Sequence, residues 1–122
     1  MHEYGLMEDI VASAIEAVRR NGGGAVGRIR VDVGELSSAS PDALLAAFQA
    51  LSEGTPLAGA VMEIGSVPGA LACEACGFCG SPADALLELG APPPWLCPEC
   101  GYLLAAVRGR EIVLAEVELR GP

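Results

Sequence analysis

Residues 73–80 read CEACGFCG, and after sixteen further residues positions 97–101 read CPECG. Two CxxC pairs, Cys73/Cys76 and Cys97/Cys100, are each followed at once by glycine, Gly77 and Gly101. Four thiolates in this pattern can close on one tetrahedral zinc ion. Two residues between the cysteines let a tight turn aim both sulfurs at one point, and the glycine permits a backbone conformation that a side chain would obstruct. The competing reading is a disulfide framework. It needs an oxidising compartment, five cysteines are an odd number, and nothing at the N-terminus suggests export. Cys79 makes a second, overlapping CxxC with Cys76, so Cys73/Cys76 and Cys76/Cys79 are both possible first pairs. The thiol left over is then a small hydrophobe or a bystander beside the metal.

Working outward, the cysteine region is bounded by Ser66-Val67-Pro68-Gly69 on one side and Arg108-Gly109 on the other. Before it, Leu6, Met7, Ile10, Val11, Ala14, Ile15 and Val18 recur at three- and four-residue steps, which predicts an amphipathic helix over Tyr4 to Arg20. Asn21-Gly22-Gly23-Gly24 stops it. Ile29, Val31 and Val33 interleave with Arg28, Arg30 and Asp32, describing a strand with one buried face that ends at Gly34. Ser40-Pro41 supplies an N-cap and a proline at the first helical position, opening a second helix through Leu51. Ala60, Met62 and Ile64 mark a second strand, and Val113, Ala115, Val117 and Leu119 a third beyond the cysteines. That last strand most simply returns to the sheet left at Gly65, because its apolar face otherwise has nothing to cover. The expectation is therefore α+β: two helices packed on a three-stranded mixed sheet, residues 1–67 and 108–122, with an inserted four-cysteine zinc-ribbon-like domain, residues 68–107. Pro92-Pro93-Pro94 reads as a stiff loop between the two cysteine pairs.

Charge excludes some partners. The net charge is −9 and all seven basic residues are arginine. Zinc ribbons that grip nucleic acid do so with clustered Lys and Arg, yet Ala70 to Val107 contains no basic residue. A four-thiolate zinc site adds two further negative charges. Nucleic acid is not expected as a ligand, whereas a metal cation or a basic protein surface is. No uncharged apolar stretch approaches the roughly 18 residues of a membrane span, and Met1-His2-Glu3-Tyr4 begins no signal peptide. The chain reads as a single-core cytoplasmic protein.

His2 is the only imidazole in the chain and lies one residue from the terminal amine. A free amine, the amide nitrogen of residue two and its imidazole can close fused five- and six-membered chelate rings around one metal. Planar nitrogen donors suit Ni(II) or Cu(II). Glu3 could add its amide nitrogen or its carboxylate. The plainer reading is a solvated terminal residue.

These residues together resemble the HypA/HybF family of hydrogenase maturation nickel metallochaperones. Met1-His2-Glu3-Tyr4 opens the likeness, Val33-Gly34-Glu35-Leu36-Ser37 follows the first strand, Pro41-Asp42-Ala43-Leu44 starts the second helix, and Gly109-Arg110-Glu111-Ile112 leads into the last strand. The resemblance implies His2 as nickel ligand, with Glu3 beside it, and Cys73, Cys76, Cys97 and Cys100 as zinc ligands; the terminal amine of Met1 joins His2 by the chelate argument above. It implies Ni(II) as transient cargo and Zn(II) as a structural ion. The partners it implies are the nickel-handling maturation GTPase and the hydrogenase large-subunit precursor, with urease accessory proteins in some organisms. Two features depart from the family pattern: a twenty-residue gap between Cys76 and Cys97, and the extra Cys79.

Two other classes compete. Paired CxxCG knuckles also hold single iron in rubredoxin-like electron carriers, which would leave His2 without a task, and zinc-ribbon interaction modules share the spacing. Direct catalysis has no support: there is no GxxxxGK[ST] loop, no lysine, and no second histidine for acid–base work.

Overall fold

The computed structural model describes residues 2–82 and 94–120, and for His2 the backbone alone. The terminal amine of Met1, the His2 imidazole and the loop prolines Pro92 and Pro93 lie outside the described residues. In chain order the elements are α1 (His2–Arg20), β1 (Val26–Gly34), α2 (Pro41–Ser52), β2 (Val61–Val67), β3 (Ala70–Cys73), β4 (Cys79–Gly80), β5 (Trp95–Leu96), β6 (Leu103–Arg108) and β7 (Ile112–Leu119). They form two sheets, ordered β2-β1-β7 and β4-β3-β6-β5. The expected fold class is the observed one, two helices and a three-stranded mixed sheet interrupted by a four-cysteine module.

The chain divides into two compact units, one of Met1–Asp32, Ala39–Gly65 and Ile112–Pro122, the other of Val33–Ser38 and Ser66–Glu111. In the first, α1 packs against α2 and β7. The predicted helical stripe is the buried one: Met7, Ile10, Val11, Ala14 and Val18 leave solvent, as do Leu44, Ala47 and Phe48 of α2. On β1, Ile29 and Val31 are fully buried while Arg28, Arg30 and Asp32 alternate with them. Arg28 is shared by three carboxylates, Glu63 of β2 at 3.1 Å and Glu116 and Glu118 of β7 at 2.8 and 3.1 Å. Ser40 caps α2 as expected, its Oγ accepting from the Ala43 amide at 3.3 Å.

β7 differs from its expectation. No face of it is fully buried: Val117 is half-buried, while Val113 and Leu119 keep 48% and 41% of their surface exposed. The reason is its place at the margin of the sheet, with a strand neighbour on one side only among the described residues.

The second unit has its own small core of Leu36, Leu71, Cys73, Trp95, Cys97 and Leu104. Leu36 arrives from the segment Val33–Ser38, which leaves the first unit at Asp32 and returns to it at Ala39. That excursion is additional to the two chain crossings read from the sequence near Ser66 and Arg108. Backbone bonds hold it: the Gly34 amide donates to Glu111 O (2.9 Å), Glu35 N to Val67 O (2.9 Å) and Leu36 N to Gly109 O (2.7 Å), while Glu35 Oε1 accepts from the Gly69 amide at 2.7 Å. The segments meet at glycines because nothing larger fits. A Cβ on Gly69 would lie 2.6 Å from Leu36 Cγ, and one on Gly109, where φ is +85°, 2.6 Å from Gly69 Cα.

Candidate metal centre

Each half of the cysteine site is a short turn at the end of a strand, and the two turns repeat one hydrogen-bond scheme. In the first, Gly77 N donates to Cys73 O (3.0 Å) and Cys73 N to Phe78 O (2.8 Å). In the second, Gly101 N donates to Cys97 O (2.9 Å) and Cys97 N to Tyr102 O (2.7 Å). Gly77 and Gly101 sit at φ +83° and +77°, the left-handed region that glycine enters without steric cost. The glycine after each pair therefore has the physical role read from the sequence. β3 and β6 pair antiparallel, Cys73 opposite Leu104, and β5 pairs with β6 so that Trp95 also faces Leu104. These pairings bring the turns together.

The Sγ atoms of Cys73, Cys76, Cys97 and Cys100 all lie within 4.8 Å of one another. Across the two turns, Cys73 Sγ lies 3.6 Å from Cys100 Sγ and Cys76 Sγ lies 3.7 Å from Cys97 Sγ. Four sulfurs on a tetrahedron around an ion at about 2.3 Å stand about 3.8 Å apart, so this donor set fits one zinc-sized ion. Cys73 and Cys97 are buried in the core, and Cys76 and Cys100 face solvent.

Crowding sets the thiols' proton affinities apart. Cys73 is held down to about 7, first by the Cys76 amide, which bonds the thiolate, and then by the Ala75 amide. Cys76 is pushed up to about 12: the Phe78 amide favours its thiolate, but desolvation and the neighbouring Cys97, Cys73 and Cys100 sulfurs outweigh it. Cys100 is raised against the pull of the Tyr102 amide, by desolvation and by Cys73. Four adjacent thiolates cannot coexist without a cation, and a divalent ion relieves that repulsion. Glu99 N donates to Cys97 Sγ at 3.4 Å, a backbone bond to a sulfur of the kind that steadies metal ligands.

Cys79 is not part of this cluster. Its register opposite Ala72, next to Leu71 opposite Gly80, puts it on the other face of the sheet from Leu71 and Cys73. Its Sγ lies 3.8 Å from Gly77 O.

At the other candidate site, α1 begins at His2. Glu3 Oε2 accepts from the Ser40 amide at 3.2 Å, joining the first turn of α1 to the N-cap of α2. The residues that reasoning from sequence missed are Leu36 and Glu35, which build the cysteine unit from a distance. The only local sign of them was that Val33-Gly34-Glu35-Leu36-Ser37 carried part of the family resemblance.

The family described as hydrogenase/urease nickel incorporation, metallochaperone, hypA, matches residues 1–119. The chain belongs to the HypA family. Among its curated relatives, the hydrogenase maturation factor HypA of Nostoc sp. is 35% identical over 120 residues, covering 98% of this chain and 96% of that protein. That of Rhizobium leguminosarum bv. viciae is 36% identical over 121 residues, covering 98% and 99%. That of Methanocella arvoryzae is 33% identical over 119 residues, covering 98% of each. The fold is shared with the solution structure of the Ni metallochaperone HypA from Helicobacter pylori, at a TM-score of 0.65 and 21% identity over 96% of both chains. Another HypA solution structure aligns at 0.67 and 24%, covering 98% and 97%. Membership makes this chain a nickel-incorporation metallochaperone of hydrogenase or urease maturation. No described helix is long and apolar enough to cross a membrane.

Proposed function

We propose that this HypA-family chain carries Ni(II) at its N-terminus and hands it on for [NiFe]-hydrogenase maturation, while Zn(II) at Cys73, Cys76, Cys97 and Cys100 fixes the second lobe. The observation that carries the reading is the pairing of a four-sulfur cage sized for one ion with a family match that begins at Met1 and takes in the Met-His-Glu start. The two sites divide the work between an α+β lobe, 1–67 and 108–122, and a cysteine lobe, 68–107. A cage of four thiolates holds its ion too firmly to deliver it, so the cargo belongs at the terminus. Zinc, when bound, supplies a cross-link between the turns at Cys73 and Cys97 and no chemistry. The action is delivery and not catalysis.

Support for the terminal site comes from helix geometry. α1 starts at His2, and the amide nitrogens of a helix's first turn have no acceptor within the helix. The His2 and Glu3 amide nitrogens can therefore serve a metal without sacrificing an α1 hydrogen bond. The amine of Met1 and the imidazole of His2 complete three donors, and Glu3 supplies its amide or its carboxylate. Delivery takes place in the cytoplasm, to the nickel-handling maturation GTPase and the hydrogenase large-subunit precursor, with urease accessory proteins as further recipients.

The test is calorimetric nickel titration of untagged protein, His2→Ala and an N-terminally extended form, with zinc measured in parallel. We expect His2→Ala and the extended form each to lose at least tenfold in nickel affinity and to keep one zinc. Binding by the untagged protein should weaken as pH falls through about 6.5, where an unperturbed imidazole takes up its proton. Equal nickel affinity in all three forms sinks the terminal site.

A further inference from the structure

Between the last turns of α1 and strand β7 runs a groove of about 630 Å³, walled by Ala17, Val18 and Asn21 on the helix and by residues 114–119 on the strand. We propose that it is a docking site for an extended, basic segment of a partner protein, added as a further strand along β7 with alternate side chains seated against α1. The proposal concerns the first unit alone and stands apart from the metal assignments above.

Three observations fix the kind of occupant. β7 closes its sheet, with β1 on one side and no strand on the other among the described residues. A sheet margin of eight residues offers a row of backbone donors and acceptors, which is what strand addition uses. The groove also supplies what a bare margin lacks. Its helix wall is built of small residues, Ala17 and Val18, opposite Leu114, Ala115 and Val117, leaving room for an incoming side chain at every second position. The third observation is charge. Glu116 and Glu118 line the groove and are more than half exposed, and the one guanidinium that reaches them among the described residues, Arg28, is shared with Glu63 as well. Three carboxylates against one arginine leave a net charge of −2 around Arg28, and two of the three, Glu116 and Glu118, stand on β7. Arg19 and Arg20, at the end of the helix, are both drawn to Glu16.

The same charges exclude a second copy of this chain. Antiparallel pairing of β7 with itself would bring Glu116 and Glu118 close to their own counterparts, and like charges across a strand pair are destabilising. Each copy also carries a net charge of −9. A strand that alternates arginine or lysine with β-branched apolar residues meets both demands: its apolar side chains enter the groove and its cations neutralise the glutamates.

The probe is an acetylated eight-residue peptide of four Arg-Val repeats, titrated into full-length, metal-loaded protein and followed by amide chemical shifts and amide exchange, with a Glu-Val peptide of equal length as the control. We expect shifts confined to residues 114–119 and to Ala17, Val18 and Asn21, slowed exchange along β7, and at least tenfold weaker binding of the Glu-Val peptide. Ala17→Phe fills the groove from the helix side and should abolish binding with helix content unchanged. Glu116→Gln with Glu118→Gln should weaken binding about threefold to tenfold and flatten its salt dependence, as befits two exposed charge pairs. Thermal unfolding of each variant separates lost binding from lost fold. Equal binding of the two peptides, shifts centred on β2 or on the cysteine unit, undiminished binding by a folded Ala17→Phe protein, or self-association through β7 in light scattering would each overturn the proposal.

Discussion

The two units hold themselves together by different means. The first has α1, α2 and β1 to cover one another, and Met7, Ile29, Leu44 and Leu57 are wholly removed from water. Among the described residues, the core of the second gathers six buried side chains, two of which, Cys73 and Cys97, are also members of the sulfur cluster. At about 25 cal/mol per Å² of apolar surface, a core of that size offsets little of the entropy of ordering its chain. A metal cross-link between the four sulfurs therefore matters far more to one unit than to the other, in keeping with the division of labour proposed above.

The sharpest way to break this contrast is to remove one buried ligand. Cys97→Ser takes away one of four thiolates from a kind of site worth roughly 10–16 kcal/mol of apparent binding free energy. Zinc affinity should fall by on the order of a hundredfold or more, and limited proteolysis should open the second unit. The α1 and α2 helical signal in circular dichroism should survive, because neither helix contributes to the cysteine core. Retained zinc with undiminished protease resistance would mean that the cage is not the staple.

A smaller effect is expected at Leu36, and it tests whether the excursion 33–38 belongs to the metal unit. Leu36→Ala removes an 8% exposed side chain from the core that contains both buried cysteines. Loss of about 2–5 kcal/mol is usual for such a truncation. Zinc retention under chelator challenge should drop while nickel binding at the terminus holds. If thermal stability and zinc retention are both unchanged, Leu36 is a passenger.

Leu36 also marks where reading the sequence stops. The helices and the strands of the first unit were legible because their cores repeat at local periods, 3.6 residues in α1 and 2 in β1, and the knuckles because CxxCG is itself a local geometry. The meeting of Leu36 with Leu71 and Leu104 has no period: it joins positions far apart in the chain through a backbone node that only Gly34, Gly69 and Gly109 allow. The strands of the cysteine unit were equally hidden. β4 and β5 are two residues each, too short to alternate, and β3 and β6 are largely alanine and leucine. The half-exposed β7 departed from its alternating pattern because pattern cannot tell a central strand from a marginal one.

Protons give a third test. Cys76 and Cys100, both raised, hold their protons at neutral pH and must release them to a metal. Cys73, depressed to about 7 from an ordinary 9.0, is already a thiolate above that value, and what its thiolate contributes is lost as pH falls from about 9 through about 7. Zinc affinity should therefore decline as pH falls, with a slope that steepens by one proton below about 7. Competition titrations between pH 6 and 8 read that slope directly. A constant slope would show thiols titrating together near 9.0, as in a cage that is not arranged before the metal arrives.

The smallest expected effect is at Cys79, where the sequence left two ligand registers open. Cys76/Cys79 has the same spacing and the same following glycine as Cys73/Cys76. What separates them is the pleat: Ala72 pairs with both Cys79 and Ala105, and Cys73 pairs with Leu104, so Cys73 shares the buried face while Cys79 faces the other way. To bring Cys79 Sγ into the cluster, β4 would have to slip by one residue against β3, which would turn Gly80 away from Leu71. Cys79→Ala should accordingly keep one zinc per chain with affinity within about twofold of wild type, since an exposed side chain away from such features usually changes stability by less than about 0.5 kcal/mol. Cys73→Ala should lose the ion. The reverse ranking would move the first knuckle three residues along the chain, and the four-sulfur cluster would have to be rebuilt around Cys76 and Cys79.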